Sequence, residues 1–179
     1  MEKTAAAKIA VGKKSGEEVI LDFIEANAGL FNLKQPRREL TVERKNTDSM
    51  GREHVVFAQH FKGIPVWGAA LVAHLDGAGG LSAVNGRYNP TPDDLESIVP
   101  AMPEGRAVER ALSDYGTDRL QELSEDVKQM LGYDGPQAEL NIWNQPTTNK
   151  PHLVWKVELR PNTVERWMYF IDTKGGEIL

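Results

Sequence analysis

The stretch that decides the fold is His54–Gly86, with the sequence HVVFAQHFKGIPVWGAALVAHLDGAGGLSAVNG. Over residues 54–61 two sets of side chains alternate, and this period of two is typical of a β-strand. The tetrapeptide Lys62–Pro65 predicts a turn, because glycine tolerates positive φ and proline cannot continue a central ladder.

Two further strands follow from the rest of this stretch. The run Val66–Leu75 is apolar, and the glycine-rich sequence Asp76–Gly80 closes a second hairpin. Another apolar run begins at Leu81 and continues to Asn85. The whole stretch therefore predicts three antiparallel strands joined by two tight turns.

The same stretch resembles the hairpin core of the fungalysin/thermolysin propeptide domain. Members of that family share a strand, then G-x-P-V-x-G, then an apolar strand that ends V-x-H-L-D, and then N-G. The residues that match are Gly63, Pro65, Val66, Gly68, Val72, His74, Leu75, Asp76, Asn85 and Gly86. The first of these strands usually carries an arginine and paired glutamines in the family, and this chain departs from that pattern, since it has Val56, Ala58 and Gln59 there.

The composition is that of a soluble, acidic protein. The 179 residues are 40% hydrophobic and 26% charged, which is enough to bury one large core or two small ones. The net charge is −5 and the basic residues are scattered, so a nucleic-acid partner is not expected. Cysteine is absent, which excludes disulfides and thiolate metal sites. No apolar run reaches the roughly 18 residues of a membrane span, so we expect no membrane partner.

A helix and one more strand are predicted before this stretch. Residues 1–14 are expected to be flexible. Ser15, with Glu18 three positions later, has the pattern of a capping box, and the apolar spacing after it predicts a helix that ends at Gly29. Residues 39–44 alternate and are expected to form a strand. The first half therefore predicts a helix followed by a four-stranded antiparallel meander.

The second half repeats this plan of helix and strands. The sequence Asn89–Pro92 is the best candidate for a linker. After it, Pro103 and Gly116 bound one predicted helix, and Asp118–Leu131 has the apolar spacing of a second. Three strands are predicted at residues 138–144, 152–160 and 165–172.

The strands of the second half resemble a PepSY domain, the usual C-terminal half of thermolysin-type propeptides. The resemblance is carried by Glu139–Trp143, Leu153–Val157 and Trp167–Asp172. Together the two resemblances imply a flexible N-terminus at 1–14, a propeptide-motif domain at 15–89, a linker at 90–99 and a PepSY-like domain at 100–179. The implied fold class is α+β, with two modules that each pack a helix on a curved antiparallel sheet, as in cystatins.

The sequence carries no catalytic signature. The zinc-protease motif H-E-x-x-H is absent, and no two histidines stand four residues apart on a predicted helix. His54 and His74 lie on neighbouring predicted strands and could approach each other. Two imidazoles still fall short of the three protein ligands that a catalytic zinc site uses. We therefore expect no catalytic residue, no metal site and no cofactor, and we expect that the chain is not an enzyme by itself.

A small set of residues is predicted to face a protein partner. Trp67 lies beside the turn at Gly63–Pro65, where a strand end could present it. Most of the other tryptophans are expected to be buried, since large aromatic side chains on sheets usually are. In the propeptide family a linker leads from this end of the chain into the mature enzyme, so the resemblance adds Gly175, Gly176, Glu177, Ile178 and Leu179.

The resemblance implies the propeptide of a secreted, bacterial, thermolysin-like zinc metalloprotease. Such a propeptide would be an intramolecular chaperone for folding and an inhibitor of the catalytic domain. That domain would be its partner, in cis in the precursor and also in trans. We expect the C-terminal half to supply the inhibitory contact. The implied localisation is secreted or periplasmic, with the signal peptide outside this chain.

Two other classes of function stay open. The chain could be a free-standing protease inhibitor or peptide-binding module that is never fused to a protease. The reading frame beyond Leu179 would decide between this alternative and a precursor. A helix on a curved sheet can also enclose a pocket for a small ligand or an enzyme site, for which an apolar cavity with converging polar groups would be the evidence.

Overall fold

The structure is a computed structural model that describes residues 14–179. The prediction of a flexible N-terminus falls almost entirely on residues that lie outside this range. The contacts among Cα atoms divide the chain into two compact units, one that ends at Asp93 and one that begins at Asp94. The domain boundaries expected from the sequence stay predictions.

The first unit packs three helices with an antiparallel sheet. Strand β1 pairs with β2, β2 with β3, and β3 with β4, each time antiparallel. The elements are α1 (Gly16–Ala26), α2 (Ala28–Phe31), α3 (Pro36–Glu39), β1 (Leu40–Thr47), β2 (Glu53–Phe61), β3 (Ile64–Leu75) and β4 (Leu81–Arg87).

Helix α1 begins as the sequence predicts. The Ser15 hydroxyl accepts a hydrogen bond from the backbone N–H of Glu18 at 3.2 Å, and the Glu18 carboxylate accepts one from the Ser15 N–H at 2.8 Å. The capping box is therefore confirmed, and it satisfies two of the backbone donors that a helix start leaves without partners. The helix ends at Ala26, three residues before the predicted Gly29.

One face of the sheet and one face of α1 form the core of the first unit. The odd-numbered residues of β2, and those of β3 from Leu71 onward, point to this face, because side chains alternate along a regularly paired strand. The buried hydrophobic cluster consists of Val19, Ile20, Leu21, Phe23, Ile24, Phe31, Leu33, Leu40, Val55, Phe57, Leu71, Ala73, Leu75 and Leu81. Burial along β2 therefore alternates with the period of two that predicted this strand.

The turn between β2 and β3 is shorter than the sequence suggests. Lys62 and Gly63 have φ values of 51° and 85°, as the two central residues of a type I′ hairpin turn require. Pro65 lies inside β3 and pairs with His60, which corrects the prediction that it belongs to the turn. Proline is tolerated here because it is the second residue of the strand, outside the segment that pairs with β4, which reaches only to Ala70.

The second unit places a helix on a three-stranded antiparallel sheet, in which β5 pairs with β6 and β6 with β7. Ala107 and Ala111 of the helix pack on Val157 and Ile171 of the sheet. The elements are α4 (Glu104–Tyr115), a turn of 3-10 helix (Thr117–Arg119), α5 (Glu125–Leu131), β5 (Gln137–Asn144), β6 (Pro151–Leu159) and β7 (Trp167–Asp172).

The predicted helix over Asp118–Leu131 is only partly correct. Its first part is a single 3-10 turn, residues 120–124 have no regular structure, and only Glu125–Leu131 is α-helical. The N–H of Gln121 donates to the carbonyl oxygen of Pro161 at 2.8 Å, and this tertiary hydrogen bond takes the donor away from a helical ladder. Apolar spacing alone could not reveal that competing partner.

The predicted α+β class, with a helix packed on an antiparallel sheet in each half, is confirmed. Among residues 14–179, no helix is long and apolar enough to cross a membrane.

Replacing Gly86 with alanine is expected to destabilise the first unit. Gly86 has a φ of 136° and lies opposite Leu71, and an added Cβ would stand 2.3 Å from the carbonyl oxygen of Ala70. We expect the free energy of unfolding to fall by about 2 kcal/mol or more, since backbone strain and overpacking add. Urea denaturation followed by circular dichroism measures this change.

The matched control is Gly29→Ala. A Cβ added at Gly29 meets no atom within 4 Å, and the residue lies in a helix, where alanine is favoured. The control should unfold at the wild-type urea concentration or slightly above it. Equal midpoints for Gly86→Ala and wild type would contradict the close approach of β3 and β4 at this position.

Candidate functional site

The G-x-P-V-x-G motif forms a turn followed by a bulge. The pairing of β2 and β3 shifts between Ala58↔Ala70 and His60↔Pro65, so the four residues Val66–Ala69 of β3 stand opposite the single residue Gln59. Within the bulge, Val66 and Ala69 are buried, whereas Trp67 and Gly68 are exposed. A bulge of this kind changes the direction of side chains along a strand.

Trp67 is presented by this bulge. Its side chain is 40% exposed, although it lies in the middle of an apolar sequence. The exposure matches what a partner-facing residue requires, and the contact itself stays a prediction. The sequence places Trp67 beside the hairpin turn, and the bulge explains why that position is open to solvent.

Gln59 and Glu39 are buried polar residues that sequence reasoning missed. Gln59 is 1% exposed; its amide donates to the carbonyl oxygen of Asn89 at 2.8 Å, and its oxygen accepts from the N–H of Asn89 at 2.9 Å. Glu39 is 4% exposed and accepts hydrogen bonds from the Thr91 hydroxyl and the Gln35 N–H. These hydrogen bonds hold residues 89–91, which follow β4, against the rest of the first unit. The available signal was a glutamine in the alternating set that otherwise holds Val55, Phe57 and Phe61.

A pair of histidines connects β2 and β3 on the sheet face opposite α1. His54 and His74 are register partners, and their Nδ1 atoms are 2.6 Å apart. This confirms the approach that the sequence suggests for these two residues. On the far side of each ring, Nε2 of His54 is 3.3 Å from a carboxylate oxygen of Asp48, and Nε2 of His74 is 3.1 Å from the amide nitrogen of Asn85.

One arrangement of protons on neutral rings satisfies all three contacts. The Asn85 amide donates to Nε2 of His74, the Nδ1–H of His74 donates to Nδ1 of His54, and the Nε2–H of His54 donates to Asp48. A second proton between the rings would put two N–H groups against each other at 2.6 Å. The pair therefore holds at most one positive charge in this geometry.

The surroundings of the pair favour the neutral form of His74. Burial lowers the pKa of His74 below its ordinary value of 6.5, and the nearby positive charges of His54 and Arg52 lower it further. The pKa of Asp48 is also lowered, first by the hydrogen bond from the backbone N–H of Arg52 and then by the Arg52 and His54 side chains. The Asp48 carboxylate, which contacts Nε2 of His54, thus stays ionised.

These groups do not converge on a metal position. Asp48 contacts Nε2 of His54, whereas His74 contacts Nδ1 on the other side of the same ring. Among the described residues 14–179, no group of three histidine, aspartate or glutamate side chains could hold a metal ion.

The remaining motif residues of the hairpin have structural roles. A single carboxylate oxygen of Asp76 accepts hydrogen bonds from the N–H groups of Ala78 and Gly80, at 2.9 and 2.8 Å, which closes the turn between β3 and β4. Asn85 holds His74, and Gly86 permits the close approach to Ala70 described above. The V-x-H-L-D…N-G pattern therefore specifies how β3 and β4 pair.

The predicted interface residues at the C-terminus close the outer edge of β7. Residues Gly175 and Gly176 form a turn in which the Asp172 carboxylate accepts from the Gly175 N–H at 3.1 Å. Glu177–Leu179 then runs antiparallel to β7, with a bridge between Ile171 and Ile178. Leu179 remains 38% exposed. The structure brings these residues together on one short extended segment, and their role in an interface stays a prediction.

The expectation that most tryptophans are buried is wrong. Trp167 is 48% exposed, and Trp143 and Trp155 are half-buried. Trp155 packs against the core of the second unit, where its indole N–H donates to the carbonyl oxygen of Met102 at 2.8 Å.

The histidine pair is expected to make the first unit less stable in mild acid. Because the pKa of His74 is lowered in the folded state, the unfolded chain binds this proton more readily as the pH falls through about 6.5. The free energy of unfolding should therefore fall between about pH 7.5 and about pH 5. Below the ordinary Asp48 pKa of 3.8, protonation of that carboxylate should lower it again. Urea unfolding across this pH range measures the slope.

His74→Gln should lose the part of the slope that lies between about pH 7 and about pH 5. His60→Gln, which removes a histidine outside the pair, is the matched control and should keep that slope. If the His74 variant retains the wild-type slope, the pair does not carry the acid sensitivity.

Comparison with known proteins places the hairpin in a family. Residues 38–88 match the family described as Fungalysin/Thermolysin Propeptide Motif, and this range covers all of β1, β2, β3 and β4. This motif is a non-catalytic module. The match includes the turn, the bulge and the histidine pair.

Curated relatives align with nearly the whole chain. The thermolysin of Alicyclobacillus acidocaldarius subsp. acidocaldarius is 29% identical over 175 residues, which is 94% of this chain and 30% of the relative. The bacillolysin of Brevibacillus brevis is 25% identical over 171 residues, 92% of this chain and 31% of the relative. The thermostable neutral protease NprT of Geobacillus stearothermophilus is 28% identical over 173 residues, 94% of this chain and 30% of the relative.

The chain thus spans about 30% of the length of these relatives. Among solved structures, the Bacillus megaterium YpeB C-terminal domain aligns with 96% of this chain and 66% of its own chain, at 12% identity and a TM-score of 0.38. A TM-score of this size does not establish a common fold. Residues 38–88 therefore carry a fungalysin/thermolysin propeptide motif, and this assignment covers that segment of the chain.

Proposed function

We propose that the chain is the propeptide of a secreted thermolysin-like metalloprotease, and that it acts both as a chaperone for folding and as an inhibitor of the catalytic domain. The observation that supports this most is the alignment of 94% of the chain with only 30% of a thermolysin, together with the propeptide motif inside it. This alignment supports an interpretation of the chain as the part of a protease precursor that contains the propeptide motif.

The chaperone role follows from the folding problem of a large domain. Domains rich in non-local contacts fold slowly and populate trapped states. A folded surface that binds the transition state for folding lowers this barrier, whereas one that binds only the native state does not. Each unit of this chain has its own buried core, so each can offer such a surface before the protease folds.

The inhibitory role needs an extended segment that can enter a cleft. A catalytic zinc site keeps its fourth position open for water or substrate, and a peptide laid across it excludes both. The segment Glu177–Leu179 is extended against β7, and Leu179 is 38% exposed. These features support the second unit as the source of the inhibitory contact.

The isolated chain is expected to inhibit its cognate mature protease in trans. At micromolar concentration, added chain should lower the rate of peptide hydrolysis, because it occupies the cleft in place of substrate. Initial rates at several chain concentrations measure the effect. Full peptidase activity in the presence of the folded chain would contradict the inhibitory role.

A pair of variants tests where inhibition resides. Leu179→Asp should weaken inhibition about tenfold, since it puts a charge on the extended segment, while Val164→Asp should leave it within about threefold. Val164 is 89% exposed in the same unit, so both substitutions add one carboxylate to an exposed aliphatic position. Equal inhibition by the two variants would place the inhibitory contact elsewhere.

The chain is also expected to raise the yield of refolded protease. Denatured mature protease should recover more activity when it refolds with the chain than alone, after the chain is removed by proteolysis. Albumin at the same mass concentration is the control for non-specific protection against aggregation. Equal yields with the chain and with albumin would contradict the chaperone role.

A further inference from the structure

The sheet of the first unit has a second face, opposite the one that packs on α1. The strand registers place Arg44 opposite Val56, Val56 opposite Val72, Ala58 opposite Ala70, and Ala70 opposite Arg87. Side chains of residues that pair directly lie on the same face of a sheet. These six residues therefore form one continuous surface across β1, β2, β3 and β4, which we call the arginine face.

The arginine face is open to solvent. Arg44 and Arg87 are exposed, and the four aliphatic residues between them are only partly buried. The hydrophobic cluster of this unit lies on the other side, with the odd-numbered residues of β2 and β3. Small aliphatic side chains at the centre thus make a shallow apolar strip bounded by an arginine at each side.

The charge of this face differs from that of the chain. The net charge of the protein is −5, yet the face carries two arginines and no carboxylate. Glu43, at the irregularity of β1 beside Arg44, is the nearest acidic neighbour in sequence. Within the described residues neither arginine forms an ion pair, whereas Lys45 on the same strand pairs with Glu53 at 2.8 Å. Two guanidinium groups are thus available to carboxylates of a partner.

The chemistry of the face favours a protein partner over a nucleic acid or a lipid surface. The arginines stand on the two outer strands of four, about 14 Å apart across the sheet at a strand spacing of roughly 4.8 Å. A phosphate backbone or an anionic membrane requires clustered cations, and the chain as a whole is acidic. An apolar centre with a charged rim is instead typical of a protein interface.

We propose that the arginine face is a docking surface for an acidic patch of the thermolysin-like catalytic domain, with aliphatic side chains of that domain on the Val56–Val72 strip. This inference rests on the proposed function and assigns to the first unit a contact separate from the inhibitory segment of the second. The arginines orient the partner and speed the encounter, since charges at an interface rim act mainly on the association rate.

The test is a double substitution, Arg44→Gln with Arg87→Gln. Both side chains are exposed and form no ion pair with described residues, so the variant should keep the wild-type melting temperature. Binding to the mature cognate protease, measured by biolayer interferometry at several salt concentrations, should weaken about tenfold at low salt. The salt dependence of the association rate should become shallower.

Lys34→Gln with Arg38→Gln is the matched control. It removes the same charge from exposed positions of the same unit, away from the arginine face. The control should bind within about threefold of wild type. If both double variants lose the same affinity, only the net charge matters, and the docking surface is refuted. The docking surface is also refuted if Arg44→Gln with Arg87→Gln binds as tightly as wild type.

A second measurement locates the contact directly. Methyl NMR signals of Val56, Val72, Ala58 and Ala70 should shift when the protease is added, whereas those of Ala107 and Ala111, buried in the second unit, should not. Binding and inhibition by wild type with unshifted strip methyls would refute the docking surface and leave the proposed function standing. A wild-type chain that neither binds nor inhibits would overturn both.

Discussion

The rest of the first unit depends on the register between β2 and β3. Pairing of Phe57 with Leu71 puts Val55, Phe57, Leu71 and Leu75 on the α1 side. The same pairing puts His54 against His74 and Val56 against Val72 on the other side. A shift by one residue would exchange the two faces, because side chains alternate with a period of two. The core, the histidine pair and the arginine face therefore all depend on the register between β2 and β3.

The family motif specifies this register rather than a reactive centre. The turn residue Gly63 sets the start of the pairing, and the bulge at Val66–Ala69 takes up extra residues before regular pairing resumes at Ala70. Asp76 and Gly86 then fix the approach of β4. A module with such roles offers a surface of defined shape, which suits a protein that acts by binding another.

The two units combine similar architecture with different exposed features. The first presents a sheet face and a bulge, both held by a well-filled core. The second has a smaller buried cluster around Ala107 and Ala111, and its C-terminal segment only bridges the edge of β7. Contacts with few buried neighbours open at low free energy. We therefore expect less free energy to be needed to detach the C-terminal segment from β7 than to change the pairing of the strands in the first unit.

The sequence by itself determined the α+β class, the capping box of α1, the three-stranded core of the hairpin and the absence of H-E-x-x-H, since these depend on local spacing. Only the tertiary structure decided where Pro65 lies, that residues 120–124 are not helical, and that Gln59 is buried against Asn89. Each of these outcomes depends on a hydrogen-bond partner or a strand register that is distant in sequence. Local periodicity contains no information on such partners, and packing of the whole unit selects them.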